Sequence, residues 1–192
     1  MSFVPADPLA VLVQTLWLMV PAYVPNSAAV LTAGWGPMDR GRKMSDGERI
    51  LGDGKTWRGF LGGSAIGVIV GLAQQGIASA VPGNSFIVPF DANLPLAFVI
   101  IVVLAFGGMT GDSVGSLIKR RLRIPSGANA ALLDQLAFAL VAWWFIAVMF
   151  TGWFIGHFGN IVSILAVLLI TPGLHRGVNI IGYKMGKKKV PW

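Results

Sequence analysis

Five long apolar segments constrain this chain more than any other feature of its sequence. Each holds roughly 20 mostly apolar residues, the length at which an α-helix crosses the hydrocarbon core of a bilayer. They lie near residues 9–33, 58–80, 93–113, 131–151 and 157–178. With 55% apolar and 12% charged residues, a 192-residue chain has more hydrophobic surface than a water-soluble domain can bury. We therefore expect a multi-pass cell-membrane protein, all-α, folded as a bundle of five transmembrane helices in a single domain over residues 1–192.

The lysines and arginines predict the orientation of this bundle. All 15 lie in the loop between the first two segments, the loop between the third and fourth, or the C-terminal tail. Cytoplasmic loops carry such residues, so we expect the N-terminus outside, the C-terminus in the cytoplasm, and the cytoplasmic loops forming any site. The net charge of +7 then needs no nucleic acid partner. We assign Lys187, Lys188 and Lys189 to contact with lipid head groups. Nothing in the sequence indicates an oligomeric state.

Small residues and prolines predict how the segments pack. Glycine recurs every fourth residue along the second segment, at Gly59, Gly63, Gly67 and Gly71. Such a stripe lets another backbone approach closely, and the third segment offers a plausible partner in Gly108, Gly111 and Gly115. In the first segment, Pro21 and Pro25 predict a kink or a break. Asn26 follows, and from the residues alone we expect its amide to bond carbonyls that the prolines free.

The first basic loop could bind phosphates. It alternates glycines with charged residues, and its backbone N–H groups around Gly54 could cradle an anion. Lys55 and Arg58 would supply positive charge, and the Thr56 hydroxyl a hydrogen bond. The spacing is not that of a P-loop. From these residues alone, an ordinary polar, turn-rich loop is an equally good interpretation.

The third segment ends in a stripe of chemically useful side chains. Asp112, Ser116, Lys119 and Arg123 are spaced to share one helical face. A carboxylate near the membrane boundary is costly without a partner and usually has a role. The alternative is an interface helix in which Asp112 pairs with its own Lys119 or Arg120.

A second carboxylate, Asp134, opens the fourth segment, where it could simply favour the first helical turn. Asp112 and Asp134 flank one short connection, so they can approach each other at the membrane surface. Two carboxylates near several cations suit Mg²⁺ held jointly by protein and substrate phosphates. Further on, His175, Asn179 and Tyr183 form a polar stripe, in which the histidine is more typical of an interfacial hydrogen-bonding group than of a base.

Four stretches carry a resemblance to a known family. They are LGDGKTWRG at Leu51–Gly59, GDSVGSLIKRR at Gly111–Arg121, LLDQLAF at Leu132–Phe138, and the ending from Thr171 to Trp192. In this order, and with this length and number of spans, the chain resembles the archaeal CDP-archaeol synthases, relatives of the CDP-diacylglycerol synthases. The family pattern usually has a second acid three residues after the one matched by Asp134, where this chain has Ala137. The site would then use Asp112, Asp134 and, as a further candidate, a carboxylate of the first loop.

The resemblance implies a magnesium-dependent transfer of the cytidylyl group from CTP to digeranylgeranylglyceryl phosphate, an isoprenoid ether lipid phosphate. It implies catalytic roles for Asp112, Lys119 and Asp134, with both aspartates on the metal. Nucleotide and phosphate binding would fall to Asp53, Gly54, Lys55, Thr56, Arg58, Ser116 and Arg120. Contacts to the lipid or its head group would fall to Asn26, His175 and Asn179. The alternatives are the same reaction on phosphatidic acid, and a small membrane transporter, although the spans lack the charges typical of transport.

Overall fold

Five apolar helices, each long enough to cross a membrane, make up most of the protein in a computed structural model that describes residues 7–125, 128 and 130–186. The helices are α1 (Pro8–Thr32), α2 (Trp57–Ala80), α3 (Leu94–Arg121), α4 (Ala131–Met149), α5 (Thr151–Phe158), α6 (Ile161–Leu165) and α7 (Thr171–Lys184). A π-helical turn, Ala166–Ile170, joins α6 to α7, so that Ile161–Lys184 forms the fifth apolar span. The all-helical, five-span prediction is confirmed. Lys187, Lys188 and Lys189 lie outside the described residues.

Two spans differ from their predicted bounds. We expected the third near residues 93–113, but α3 continues to Arg121, which places Asp112 and Lys119 two turns apart in one helix. We expected the fifth near residues 157–178, but the short helix α5 ends at Phe158 and the span runs from Ile161 to Lys184. Hydropathy averages misplace both ends, because α3 continues into charged residues and α5 is apolar but short.

Local side-chain bonds begin three of the long helices. The Asp7 carboxylate accepts from Leu9 N at 2.9 Å, ahead of Pro8 at the first helical position of α1. Asn93 accepts from Leu96 N at 3.0 Å at the start of α3. Thr56 caps α2. Each cap supplies an acceptor for an N–H group that has no partner within its own helix.

Helix α1 runs through both of its prolines without a break. Because Pro21 has no N–H, the carbonyl of Trp17 loses its helical partner. The side-chain amide of Gln74 in α2 donates to that carbonyl at 2.9 Å and replaces the missing bond. The neighbouring helix therefore compensates for the proline.

The glycine stripe of α2 packs mainly against α1, not against the glycines of α3 as we predicted. A Cβ atom at Gly63 would lie 2.6 Å from the carbonyl oxygen of Pro25. The glycines of α3 serve two other contacts: Gly108 lies against Ala22 of α1, and Gly111 against the backbone of α4 at Ala137. The prediction was wrong because spacing identifies a face that another helix can approach closely, but not the helix that approaches it.

Candidate active site

The five spans and the first loop line a cavity of about 370 Å³ near the C-terminal ends of α1 and α3, the N-terminal ends of α2 and α4, and the middle of α7. Most of its polar lining comes from side chains that the sequence identified as candidates. These are Asn26, Lys55, Thr56, Asp112, Lys119, Asp134, His175 and Asn179. Residues from distant parts of the chain thus meet in one place.

A buried aspartate organises the loop that presents Lys55. The Asp39 carboxylate accepts from Arg49 Nε at 3.1 Å and from its terminal nitrogen at 2.6 Å. It also accepts from the backbone nitrogens of Leu51, at 3.0 Å, and Gly52, at 2.9 Å. The Arg49 guanidinium, more than these N–H groups, holds the pKa of Asp39 well below its usual range. The loop is therefore closed around a carboxylate that stays ionised.

Hydrogen bonds connect the Asp39 turn to the Lys55–Thr56 segment that lines the cavity. Met38 N donates to the carbonyl of Lys55 at 2.7 Å, so the turn lies beside the Lys55 segment. The Thr56 hydroxyl accepts from Gly34 N at 3.2 Å and Gly59 N at 3.1 Å, joining the two ends of the loop. Lys55 and Thr56 are thus held at the cavity by hydrogen bonds on both sides.

Arg121, at the end of α3, fastens the first loop to the rest of the bundle. Its guanidinium forms an ion pair with Asp46 and donates to the carbonyl of Arg49 at 2.5 Å. The two basic segments, which are far apart in sequence, therefore lie at the same end of the bundle.

Two lysine–aspartate pairs cross the cavity. Lys55 Nζ lies 2.5 Å from Asp112 Oδ2 and links the first loop to α3. Lys119 Nζ lies 2.5 Å from Asp134 Oδ1 and links α3 to α4. The alternative in which Asp112 pairs with a basic residue of its own helix is wrong, because the loop folds back and supplies Lys55. These four residues give the cavity a formal charge of zero, with two lysines balancing two aspartates.

The cavity wall formed by α7 comes from the residues after the π-helical turn. His175 packs its ring against Phe138 of α4, with centroids 5.7 Å apart, and its Nδ1 lies 3.2 Å from the Asn179 amide. One turn earlier, Thr171 is hydrogen bonded to the Tyr23 hydroxyl of α1 at 2.8 Å. Both His175 and Asn179 line the cavity, whereas Tyr183, the third member of the predicted stripe, is exposed.

Asn26 differs from the other polar residues that line the cavity. Its Nδ2 and Oδ1 atoms are both buried, and neither has a hydrogen-bond partner among the described residues. The amide does not bond carbonyls freed by the prolines, which was the expectation from the residues alone. The carbonyl of Trp17 is instead satisfied by Gln74.

Four predicted phosphate-binding residues do not line the cavity. Asp53 has an 82% exposed side chain and pairs with Arg49, and Arg58 is exposed with its side-chain stem beside Gly34. Ser116 and Arg120 are buried in α3. Arg123 also leaves its predicted stripe, because α3 ends at Arg121. Helical spacing alone could not separate the face of α3 that meets the cavity from the face that packs.

The first loop supplies no carboxylate to the cavity to replace the acid absent at Ala137. Its aspartates Asp39, Asp46 and Asp53 are each paired with an arginine, and Asp112 and Asp134 are the acids among the lining residues of the described chain. The first-loop metal ligand therefore stays a prediction, without support from the lining of this cavity. Ala137 itself lies against Gly111 and Gly115 of α3.

Sequence reasoning missed two residues with clear structural roles. Ser113 lines the cavity next to Asp112, a position that the four-residue spacing from Asp112 to Ser116 passed over. Asp39 organises the loop, and its only sequence signal is an acid inside a basic, glycine-rich segment.

Comparison with known proteins identifies the family. The family model for CarS-like proteins, described as CDP-archaeol synthase, matches residues 9–192. The CDP-archaeol synthase of Picrophilus torridus is 41% identical over 184 residues, covering 96% of this chain and 98% of the relative. That of Thermococcus gammatolerans is 43% identical over 180 residues, covering 92% and 94%.

A solved structure agrees with this assignment. It is described as an intramembrane enzyme for archaeal membrane lipids biosynthesis, and it matches with a TM-score of 0.65 and 35% identity. The match covers 86% of this chain and 92% of that one. From its sequence over nearly the whole length and from its fold, this chain belongs to the CarS-like family of CDP-archaeol synthases.

Proposed function

We propose that this protein transfers the cytidylyl group of CTP to digeranylgeranylglyceryl phosphate, giving a CDP-activated ether lipid and pyrophosphate. Family membership supports the reaction class. The observation that carries the assignment to a site is the pair of lysine–aspartate contacts, Lys55 with Asp112 and Lys119 with Asp134, in one cavity at the end of an apolar bundle. Such a cavity offers cations for phosphates at the depth where a lipid head group lies.

The donor set of the cavity fits a divalent cation shared with the substrate. Asp112 and Asp134 supply carboxylate oxygens, but no cluster of three or more potential ligands from Asp, Glu, His and Cys occurs in the described part of the chain. Mg²⁺ is commonly bound through one or two carboxylates plus substrate phosphates, which matches this set. Because the lining charges sum to zero, the cavity by itself does not neutralise a triphosphate. When bound, Mg²⁺ supplies the missing positive charge at the phosphates.

The chemistry places few demands on proton transfer. A lipid phosphate oxygen attacks the α-phosphorus of CTP, and the bond from that phosphorus to the oxygen shared with the β-phosphate breaks. The electron pair leaves with pyrophosphate. A phosphate monoester is already ionised at neutral pH, so no general base is needed. The protein therefore acts through position and charge, as in other phosphoryl transfers.

Lys55 and Lys119 change partners in this scheme. In the structure each neutralises an aspartate. With the nucleotide bound, Lys55 and Lys119 would turn to its phosphates and stabilise the leaving pyrophosphate, and Asp112 and Asp134 would hold Mg²⁺. The Thr56 hydroxyl and the backbone at Gly54, which also line the cavity, donate to the same phosphates.

The α7 wall suits the lipid substrate. His175 and Asn179 line the cavity from the last apolar span, whereas Lys55 and Thr56 line it from the charged first loop. We assign them to head-group contact. Ether and ester lipids differ little in the polar atoms that such groups would bind.

Orientation forms part of the proposal, because CTP is supplied from the cytoplasm. The protein has no cysteine, so a single introduced cysteine shows on which side of the membrane its position lies, without background labelling. We expect Ser45→Cys, in the first loop, to react with an impermeant maleimide only from the cytoplasmic side. Ser85→Cys, between α2 and α3, should react only from outside. The reverse pattern would contradict the cytoplasmic cavity.

The direct test is an assay of purified protein in vesicles with labelled CTP, Mg²⁺ and either digeranylgeranylglyceryl phosphate or phosphatidic acid. We expect labelled CDP-lipid and pyrophosphate with the ether lipid. Preference for phosphatidic acid would assign the ester-lipid reaction instead. Solute movement across the vesicles with no product from either lipid would favour a transporter.

A further inference from the structure

Asn26 is the one amide lining the cavity whose hydrogen-bonding groups have no role in the fold or in the proposed reaction. Both amide atoms are buried and lack partners among the described residues. Unpaired donors and acceptors of this kind are uncommon in native proteins, and each calls for an explanation such as a ligand. An apolar residue of similar size would fill this place at lower cost, so the amide itself needs a reason.

The helix contacts locate Asn26 relative to the reacting groups. Gly108 of α3 lies against Ala22 of α1, and these two helices run in the same direction. Asp112 and Asn26 each follow one turn further along their helices. The Asn26 amide therefore lies at the same depth in the bundle as the Asp112 carboxylate. On the other side, Gly63 lies against the carbonyl of Pro25, which places Asn26 near the first turns of α2.

Apolar side chains also line the cavity at a depth similar to that of Asn26. Met109 precedes Asp112 by about one turn in α3, and Phe60 lies in the first turn of α2, while the charged lining comes from the Lys55–Asp112 and Lys119–Asp134 pairs. Apolar contacts beside one amide suit a flat heteroaromatic ring, which needs contact on its faces and hydrogen bonds at its edge.

The chemistry of the substrates decides which of them Asn26 serves. Triphosphate oxygens, an ionised lipid phosphate and ether oxygens all accept hydrogen bonds, so they would leave Oδ1 of Asn26 unpaired. The edge of cytosine carries an amino donor beside a ring-nitrogen acceptor, and this pattern pairs with both atoms of a carboxamide. The ribose hydroxyls also donate and accept, but only a nucleobase edge presents a donor and an acceptor side by side in one plane, as the carboxamide does.

We propose, resting on the proposed function, that Asn26 binds the pyrimidine base of CTP and that the part of the cavity lined by Asn26, Phe60 and Met109 is the base site. This replaces the lipid-contact role that the family resemblance implied for Asn26. Because a carboxamide can rotate by 180°, it pairs equally with the edge of uracil. Asn26 therefore contributes affinity for a pyrimidine, without choosing between the two pyrimidines.

The test compares Asn26→Leu with Gln14→Leu, a matched amide replacement on the same helix whose side chain bonds Ser85 outside the cavity. Affinities are measured by calorimetry with Mg²⁺ for CTP, 2′-deoxy-CTP and inorganic tripolyphosphate, and KM is measured for the lipid phosphate. In Asn26→Leu we expect CTP and deoxy-CTP to weaken together by about 10-fold or more. Tripolyphosphate affinity and the KM for the lipid should stay unchanged, and Gln14→Leu should match the wild type throughout.

Several outcomes would overturn the base site. An increase in the lipid KM with unchanged CTP affinity would return Asn26 to the head group. Loss of the wild-type preference between CTP and deoxy-CTP would assign it to the ribose. Equal weakening of tripolyphosphate would indicate a general distortion of the cavity. Wild-type protein that binds CTP through Asn26 but forms no CDP-lipid would contradict the proposed reaction and leave the base site standing.

Discussion

The elements at the two ends of the bundle are held together by different kinds of polar contact. At the end away from the cavity, neutral side chains bond the backbone of the segment between α2 and α3: Gln75 bonds Asp91 and Phe90, Trp153 bonds Phe90, and Trp17 bonds Val88. At the cavity end, three ion pairs join the first loop, α3 and α4, and Asn26 has no partner among the described residues. Neutral bonds to a fixed backbone suit stability, whereas charges around a cavity can change partners when an anion binds.

The largest expected effect comes from removing a charge at the cavity end. Asp112→Asn keeps the size of the side chain but removes the negative charge that faces Lys55 and that we assign to the cation. We expect CDP-lipid formation to fall by about 100-fold or more. The matched control is Asp91→Asn, the same replacement at the other end, where the carboxylate accepts from Asn93 N at 2.8 Å, away from the cavity. Wild-type turnover in Asp112→Asn would remove the proposed cation site.

The close contact between α3 and α4 should be the next most sensitive feature. A Cβ atom at Gly111 would lie 2.5 Å from the carbonyl oxygen of Ala137 and 2.6 Å from Phe138 Cα, so Gly111→Ala must push the helices apart. We expect a loss of about 1 to 3 kcal/mol in stability. Turnover should also fall, because Lys119 and Asp134 sit on the two displaced helices. Thermal unfolding and activity measure the two effects.

The control for this substitution is Gly76→Ala in α2, where an added Cβ would meet nothing within 4 Å. Alanine favours helix, so this variant should be as stable as the wild type or more so, by about 0.5 to 1 kcal/mol. Equal melting temperatures for the two variants would contradict the close contact of α3 with α4.

A smaller effect, on stability alone, is expected at the neutral end. The Gln75 amide donates a hydrogen bond to the carbonyl of Asp91 and accepts one from the buried backbone nitrogen of Phe90. Gln75→Leu removes both bonds and leaves these two backbone groups without those partners. We expect a loss of about 1 to 2 kcal/mol in thermal unfolding. Turnover per folded molecule should stay at the wild-type value. A large fall in turnover without a fall in stability would show that the two ends are not independent.

The smallest effect should appear in the first loop and depend on pH. The pKa of Asp39 is lowered by Arg49, so its stabilising effect is complete above the usual aspartate value of about 3.9 and is lost as pH falls through the lowered value. Hydrogen exchange should therefore give Leu51 and Gly52 amides constant protection factors from pH 8 to pH 5. Asp39→Asn should reduce them about 10-fold at pH 7. A decline in the wild-type protein between pH 7 and pH 5 would contradict this account.

A helical membrane protein with five spans could be predicted from the sequence, because the length and apolarity of each segment are local properties. The sequence also pointed to most of the polar side chains that line the cavity, since polar and charged groups near span ends are few and costly. Asp112, Lys119 and Asp134 were identified in this way, and so were Lys55 and Thr56.

The partners of these groups could not be predicted, because they depend on how the helices and the first loop pack against one another. Helical spacing suggested that Asp112 could pair with Lys119 or Arg120 of the same helix. The first loop instead folds back and supplies Lys55 as its partner. Spacing also paired the glycines of α2 with those of α3, whereas α2 packs mainly against α1. Periodicity within one helix says which residues share a face. It contains no information on which other segment meets that face, and that pairing is what turns scattered polar residues into a single cavity.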